Sequence, residues 1–207
     1  LFVFLTLFLP LGLFFIIKPL ILFTAEIPYI IFSHPGGIYK DPIELSLTTG
    51  KKGVQIKISS DGSDLSPDSE DYSNPIKITD PVVIKAQVFK DGKPLGKVFT
   101  NSYIIDKETN LPIVTLTTDP KGLWSPETGI YVYGNYKNYG GRGMEWERPT
   151  FMQLYEPDGR LGFEMNLGLR IHGGRTRGYA QKGLRIIPRD MYGSNLIHYP
   201  VFPELGY

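Results

Sequence analysis

Cysteine is absent from the 207-residue chain. Disulfides and zinc–thiolate sites are therefore excluded, while cysteine-free chains occur in every redox compartment. Histidine is scarce: His34, His172 and His198 stand far apart, and no His-Glu-x-x-His pair exists to seat a catalytic zinc. The Gly-x-Ser-x-Gly elbow of serine hydrolases is missing as well. Excess charge of either sign is also lacking. The 22 Lys and Arg stand against 21 Asp and Glu, and a pI near 8.0 is too mild to predict a nucleic-acid partner. What is abundant is glycine (23), proline (17), tyrosine (13) and phenylalanine (12), a composition that favours strands and turns over helices.

Residues 1–32 are set apart by their apolar run. Leu1 to Ile17 is apolar apart from Thr6, and after Lys18 the run continues from Pro19 to Phe23. Its length approaches a membrane span, and a secretory signal with Ala25 near its cleavage site is the competing reading. Either reading, signal peptide or membrane anchor, predicts an extracytoplasmic location: cell surface or secreted. The chain starts on leucine and stops after Tyr207 without a terminal signal, which predicts a piece cut at both ends.

From Ser33 the texture changes to short alternating runs. Ile43, Leu45 and Leu47 alternate with polar residues, as do Val54, Ile56 and Ile58. Val82 to Phe89 leads into an Asp91-Gly92 hairpin turn, and Val98 to Ile105 makes a last strand. Short strands at regular spacing predict a small β-sandwich over 33–106. The loop from Ser59 to Asp71 carries Asp61, Asp64, Asp68, Glu70 and Asp71, which suits either a calcium ion or turn capping; it lacks the order of an EF-hand. The runs IKISSDGSDLSPDSEDYSNPIKI and VVIKAQVFKDGKPLGKVFTNSY resemble the chitobiase/β-hexosaminidase C-terminal type of Ig-like domain, with Tyr72, Pro75, Ile76, Lys85 and Ala86 at matching places. The resemblance implies an Ig-like module acting as a spacer. A carbohydrate-binding accessory is the weaker implication, because few aromatics are left to form a sugar platform.

A polar stretch at Asp106–Asn110 leads into a second module, 107–207. Leu111 to Leu116 opens it as a strand. Thr150 to Tyr155 and the stretch after a Glu156-Pro-Asp-Gly159 turn predict a hairpin. In the second arm Phe163, Met165, Leu167, Leu169 and Ile171 alternate with Glu164, Asn166, Gly168, Arg170 and His172, a half-buried strand. Gly173-Gly174 breaks the pattern, and a further strand is expected from Lys182 to Ile187. Between Arg160 and Asp190, seven cationic side chains face two carboxylates. An anionic ligand is therefore worth considering. The Walker A spacing fails after Gly173, and no Gly-x-Gly-x-x-Gly loop is present. Yet a glycine turn between two antiparallel strands, followed by a lysine on the second strand, is the layout of a kinase N-lobe. Arg175, Arg177, Lys182 and Arg185 are accordingly the nucleotide-binding candidates, against the alternative of a solvated basic hairpin. Glu145 and Glu147, flanking Trp146, raise a glycosidase pair as a further alternative.

The run GLRIHGGRTRGYAQKGLRI resembles the CotH kinase family, the spore coat protein H type of atypical kinase. Its members typically read G-[VI]-R-I-H-G-G-x-S-R and then Q-K-S-[LF]-R; here Thr176 and Gly183 stand in place of the serines. The passages LPIVTLTTDPKGLWSPETGIYVYG, WERPTFMQLYEPDGRLGF and Arg189 to Phe202 are similar to the same family, in family order. The resemblance implies a mainly β chain: an Ig-like β-sandwich followed by the β-rich, N-lobe-like start of an α+β atypical-kinase domain. It implies ATP with Mg or Mn, transfer of phosphate to Ser or Thr of an unknown partner protein, and catalytic aspartates beyond residue 207. No catalytic residue and no metal ligand is assigned within the chain. The alternative is a non-catalytic surface or adhesion scaffold.

Overall fold

The computed structural model describes residues 29–105 and 110–202. The signal-or-anchor segment up to Pro28 and the linker at 106–109 lie outside the described residues. Among the described residues no helix is long and apolar enough to cross a membrane.

The architecture is mainly β, in several sheets. The strands of the first module are β1 Ile31–Phe32, β2 Gly37–Tyr39, β3 Ile43–Leu45, β4 Leu47–Thr48, β5 Gln55–Ser59, β6 Glu70–Asp71, β7 Ile76–Ile78, β8 Val82–Lys90 and β9 Lys93–Ile105. A five-stranded sheet in the order β2-β9-β8-β5-β6 is packed by two small ribbons, β3-β7 and β1-β4. The core between them is built from Leu45, Leu47 and Ile78 on the ribbons and Ile56, Ile58, Ile84, Ala86, Val88 and Tyr103 on the sheet. This is the expected β-sandwich.

Three local features follow from the residues. Asp91 and Gly92 both take positive φ (50° and 71°), the backbone of a tight turn whose twist matches paired strands. The alternating run from Ile43 does not form one strand. It breaks at Ser46, whose amide donates to Ser33 Oγ while its carbonyl accepts from Ser33 N–H, so β3 and β4 join different ribbons. Strand β8 is buried on both faces rather than one. Lys85 Nζ donates to Gly62 O and pairs with Asp64, and Gln87 donates to Gly96 O, so a loop and a neighbouring strand cover what alternation marks as the wet face. Three of the five acids in the loop, Asp61, Asp64 and Asp71, have internal partners. The Ser63 N–H and the Ser59 hydroxyl bind Asp61 and hold its carboxyl below the usual aspartate value, and Asp71 pairs with Lys57.

The second module carries β10 Ile113–Thr117, β11 Arg148–Tyr155, β12 Leu161–His172 and β13 Gly183–Ile187, an antiparallel sheet in chain order. A single helical turn, α1 Pro120–Trp124, has Asp119 as its cap, the carboxylate accepting from the Lys121 N–H. A long non-strand segment from Ser125 to Glu147 lies over one sheet face, where Ile130, Leu169 and Ile171 form a core with Leu116, Leu123, Tyr131, Trp146 and Ile186.

The other sheet face, with Gln153, Glu164, Gly168 and Arg170 on it, does two jobs. Register places Gln153 opposite Glu164 and Pro149 opposite Gly168. At the Gln153 end it holds the first module. Gln153 Oε1 accepts from the Ser102 N–H of β9 at 3.0 Å, and Gln153 Nε2 donates to Glu164. Tyr155 donates to the Ser102 carbonyl, and the Ser102 and Thr115 hydroxyls meet at 3.1 Å. Burial pushes the Tyr155 hydroxyl well above the ordinary tyrosine value, so it remains a donor. A methyl at Gly36 would lie 2.6 Å from that hydroxyl oxygen, so this approach of the modules requires glycine. Buried side chains thus bond the two modules to each other.

Removal of the Gln153 amide leaves the buried Ser102 N–H without its partner. Gln153→Ala should cost about 1–3 kcal/mol. Urea unfolding followed by tryptophan fluorescence and by far-UV circular dichroism should give coincident single transitions. Two separated transitions would show that the modules are not coupled.

Candidate anion-binding site

The end of the same sheet face remote from Gln153 is basic. Arg170 and His172 on β12 share this face with Arg185 on β13, and the register sets Arg170 directly opposite Arg185. Like charges in that relation repel. Gly173, with φ of 108°, turns the chain out of β12. A short 3-10 turn, Arg175–Gly178, then returns it toward β13.

A buried carboxylate makes this face tenable. The Glu147 side chain is 1% exposed and pairs with two guanidiniums: Arg189 Nε at 2.8 Å and Arg170 Nε at 3.3 Å. Tyr192 donates to the same carboxylate at 3.1 Å. Burial alone would raise the Glu147 carboxyl. The hydrogen bonds from Arg189 and Tyr192 and the charges of Arg189 and Arg170 outweigh it and hold the group below the ordinary glutamate value. Gly168 lies beneath this carboxylate, and a Cβ there would fall 2.2 Å from Glu147 Oε1. The neighbours of Glu147 explain the rest of the Trp-Glu-Arg run. Trp146 packs into the core of the opposite face, and Arg148 donates to the carbonyls of Thr128, Glu145 and Glu147. A glycosidase pair at Glu145 and Glu147 is therefore replaced by a structural role for Glu147.

A cavity of about 200 Å³ opens at the turn end of the hairpin. Arg142, Arg170, His172, Gly173, Arg177 and Arg185 line it, and among the described residues no carboxylate does. The four residues expected to bind nucleotide are divided by the structure. Arg177 and Arg185 line the cavity; Arg175 and Lys182 do not. Arg177 is a brace: its Nε donates to Gly173 O, and its Nη1 to Tyr139 O and Gly141 O. Burial and the charges of Arg142 and Arg170 push its guanidinium below the ordinary arginine value. Lys182 precedes β13 rather than lying on it. Its ammonium sits 4.8 Å from the centre of the Tyr139 ring and 5.2 Å from that of Tyr131, and donates to Tyr179 O. Arg142, Arg170 and His172 escaped the sequence reading. Arg142 belongs to a glycine-flanked loop far upstream, and Arg170 and His172 were visible only as the polar side of a strand.

The comparisons with known proteins follow this division. The first module is an Ig-like β domain, and residues 34–100 match the family model of the chitobiase/beta-hexosaminidase C-terminal domain. The comparison with curated proteins and that with solved structures returned no match.

Glu147→Gln keeps the shape but removes the charge that two arginines share, and should cost about 2 kcal/mol at pH 7. The folded-state value of Glu147 is depressed, so its contribution is full above the ordinary glutamate value and is lost as pH falls through the folded-state value. The difference in urea midpoint between wild type and Glu147→Gln should therefore shrink as pH falls below the ordinary glutamate value. A difference unchanged between pH 7 and pH 3 would contradict this assignment.

Proposed function

We propose that this chain is the leading part of an exported CotH-type atypical protein kinase. In this reading the Ig-like module is fixed to the four-stranded sheet β10-β11-β12-β13, which serves as the nucleotide-holding lobe. The observation that carries the reading is the arginine-walled cavity at the glycine turn between β12 and β13. Backbone amides at a glycine turn and guanidiniums around it are suited to phosphate, and a wall with no carboxylate among the described residues agrees with an anionic ligand.

ATP with Mg or Mn supplies the phosphoryl group, and Ser or Thr of a partner protein receives it. Arg185 and Arg177 border the phosphates, the first as a donor and the second as the brace of the turn. Arg175 and Lys182, outside the cavity, shape the turn: Lys182 pins it to Tyr131 and Tyr139. The catalytic aspartates and the metal ligands belong to sequence after Tyr207. The apolar segment at 1–32 directs the protein out of the cytoplasm, as a cleaved signal or a membrane anchor.

The test is phosphoryl transfer by the full-length encoded protein. With γ-labelled ATP, magnesium or manganese and a serine-rich acceptor protein, label should appear on serine or threonine. Arg185→Ala should raise the KM for ATP about tenfold, the effect of one charge-assisted contact. An intact, folded full-length protein that transfers no label under either metal would refute the kinase reading and favour a non-catalytic surface scaffold.

A further inference from the structure

The arginines around the cavity are not equivalent. Arg170 is paired with Glu147, and Arg177 is spent on three carbonyls. Arg142 and Arg185, both exposed, make no hydrogen bond or ion pair with any described residue, yet they border the same cavity. The fold gains nothing from holding these two guanidiniums beside two more. Glu147 offsets the cross-strand opposition of Arg170 and Arg185 on the Arg170 side only, and it reaches neither Arg185 nor Arg142. Among the described residues no carboxylate lines the cavity itself.

We infer that Arg142 and Arg185 are the two open arms of a seat for a diphosphate-sized oxyanion, with His172 on its floor and Arg170 and Arg177 as positioning residues. Size supports the class. A cavity of about 200 Å³ accommodates two linked phosphate groups. Charge supports it too. A single carboxylate would leave most of the guanidinium N–H donors unmet, whereas a diphosphate offers several anionic oxygens in the bidentate geometry that arginine matches. Anything attached to the diphosphate would extend beyond the cavity. That the bound group belongs to a nucleotide rests on the proposed kinase function; the seat itself does not.

The experiment is calorimetric titration of the full chain with inorganic pyrophosphate at constant ionic strength, with magnesium-free and magnesium-containing buffers compared. Wild type should bind with one site, and Arg142→Ala and Arg185→Ala should each weaken binding about tenfold or more. Arg142→Glu should abolish it. Arg160→Ala, an exposed arginine beside Asp158 and away from the cavity, should change affinity less than twofold. Neither arm bonds to the rest of the chain, so Arg142→Ala and Arg185→Ala should keep the wild-type Tm. Absence of pyrophosphate binding to the wild type, or an equal loss in Arg160→Ala, would overturn the seat. Competition by ATP separates the two claims. Pyrophosphate binding that ATP cannot displace leaves the seat standing and removes the nucleotide. Phosphoryl transfer with a KM for ATP unaffected by Arg142→Ala and Arg185→Ala leaves the kinase standing and removes the seat.

Discussion

The buried carboxylate of Glu147 is the interaction on which the basic end of the second sheet depends. It neutralises Arg170 from below and draws Arg189, which follows β13, back against β12. Without that charge the sheet would present Arg170 and Arg185 to each other across paired strands with nothing between them. The glycine at 168 is part of the same device, because any side chain there would occupy the space of the carboxylate. A buried carboxylate with three partners is stable only as a complete set, so Arg170, Arg189, Tyr192 and Gly168 act together. The charge left over, on Arg142 and Arg185, faces the cavity.

One face of the β10–β13 sheet thus serves two purposes at its two ends. Near Gln153 and Tyr155 its polar groups are satisfied by the backbone and hydroxyl of Ser102 in the first module. Near Arg170 and His172 they border a cavity instead. Glu164, opposite Gln153 at the first of these ends, holds the Gln153 amide in place. A module that buries its hydrogen-bond partners in its neighbour fixes that neighbour's position, which gives the Ig-like domain a structural part in how the basic hairpin is presented.

Much of this was legible in the residues. Period-two alternation located β8 and β12, the Glu156–Gly159 turn placed β11 before it, and Asp91-Gly92 marked a turn whose backbone has the two positive φ values such a turn needs. The Ig-like module was readable from a run of short motifs that a family model also matches over 34–100. The break at Ser46 was not legible, since alternation continues through it and only the bonds to Ser33 divide the run. Nor was the burial of Lys85 and Gln87, because alternation describes one strand and says nothing of a loop folded over its far side. Local charge density singled out the hairpin that borders the cavity but could not separate its arginines. Arg177 and Lys182 are held by Tyr139, and Arg142 arrives from the same upstream loop, so their roles depend on contacts distant in sequence.

The most direct measurement is a crystal structure of the protein grown with pyrophosphate. The account predicts electron density for the diphosphate within hydrogen-bond distance of the Arg142 and Arg185 guanidiniums, with the Glu147 ion pairs unchanged. Clear density for the cavity with Arg142 and Arg185 both turned to solvent, or a diphosphate bound at the Lys182 ammonium instead, would contradict it.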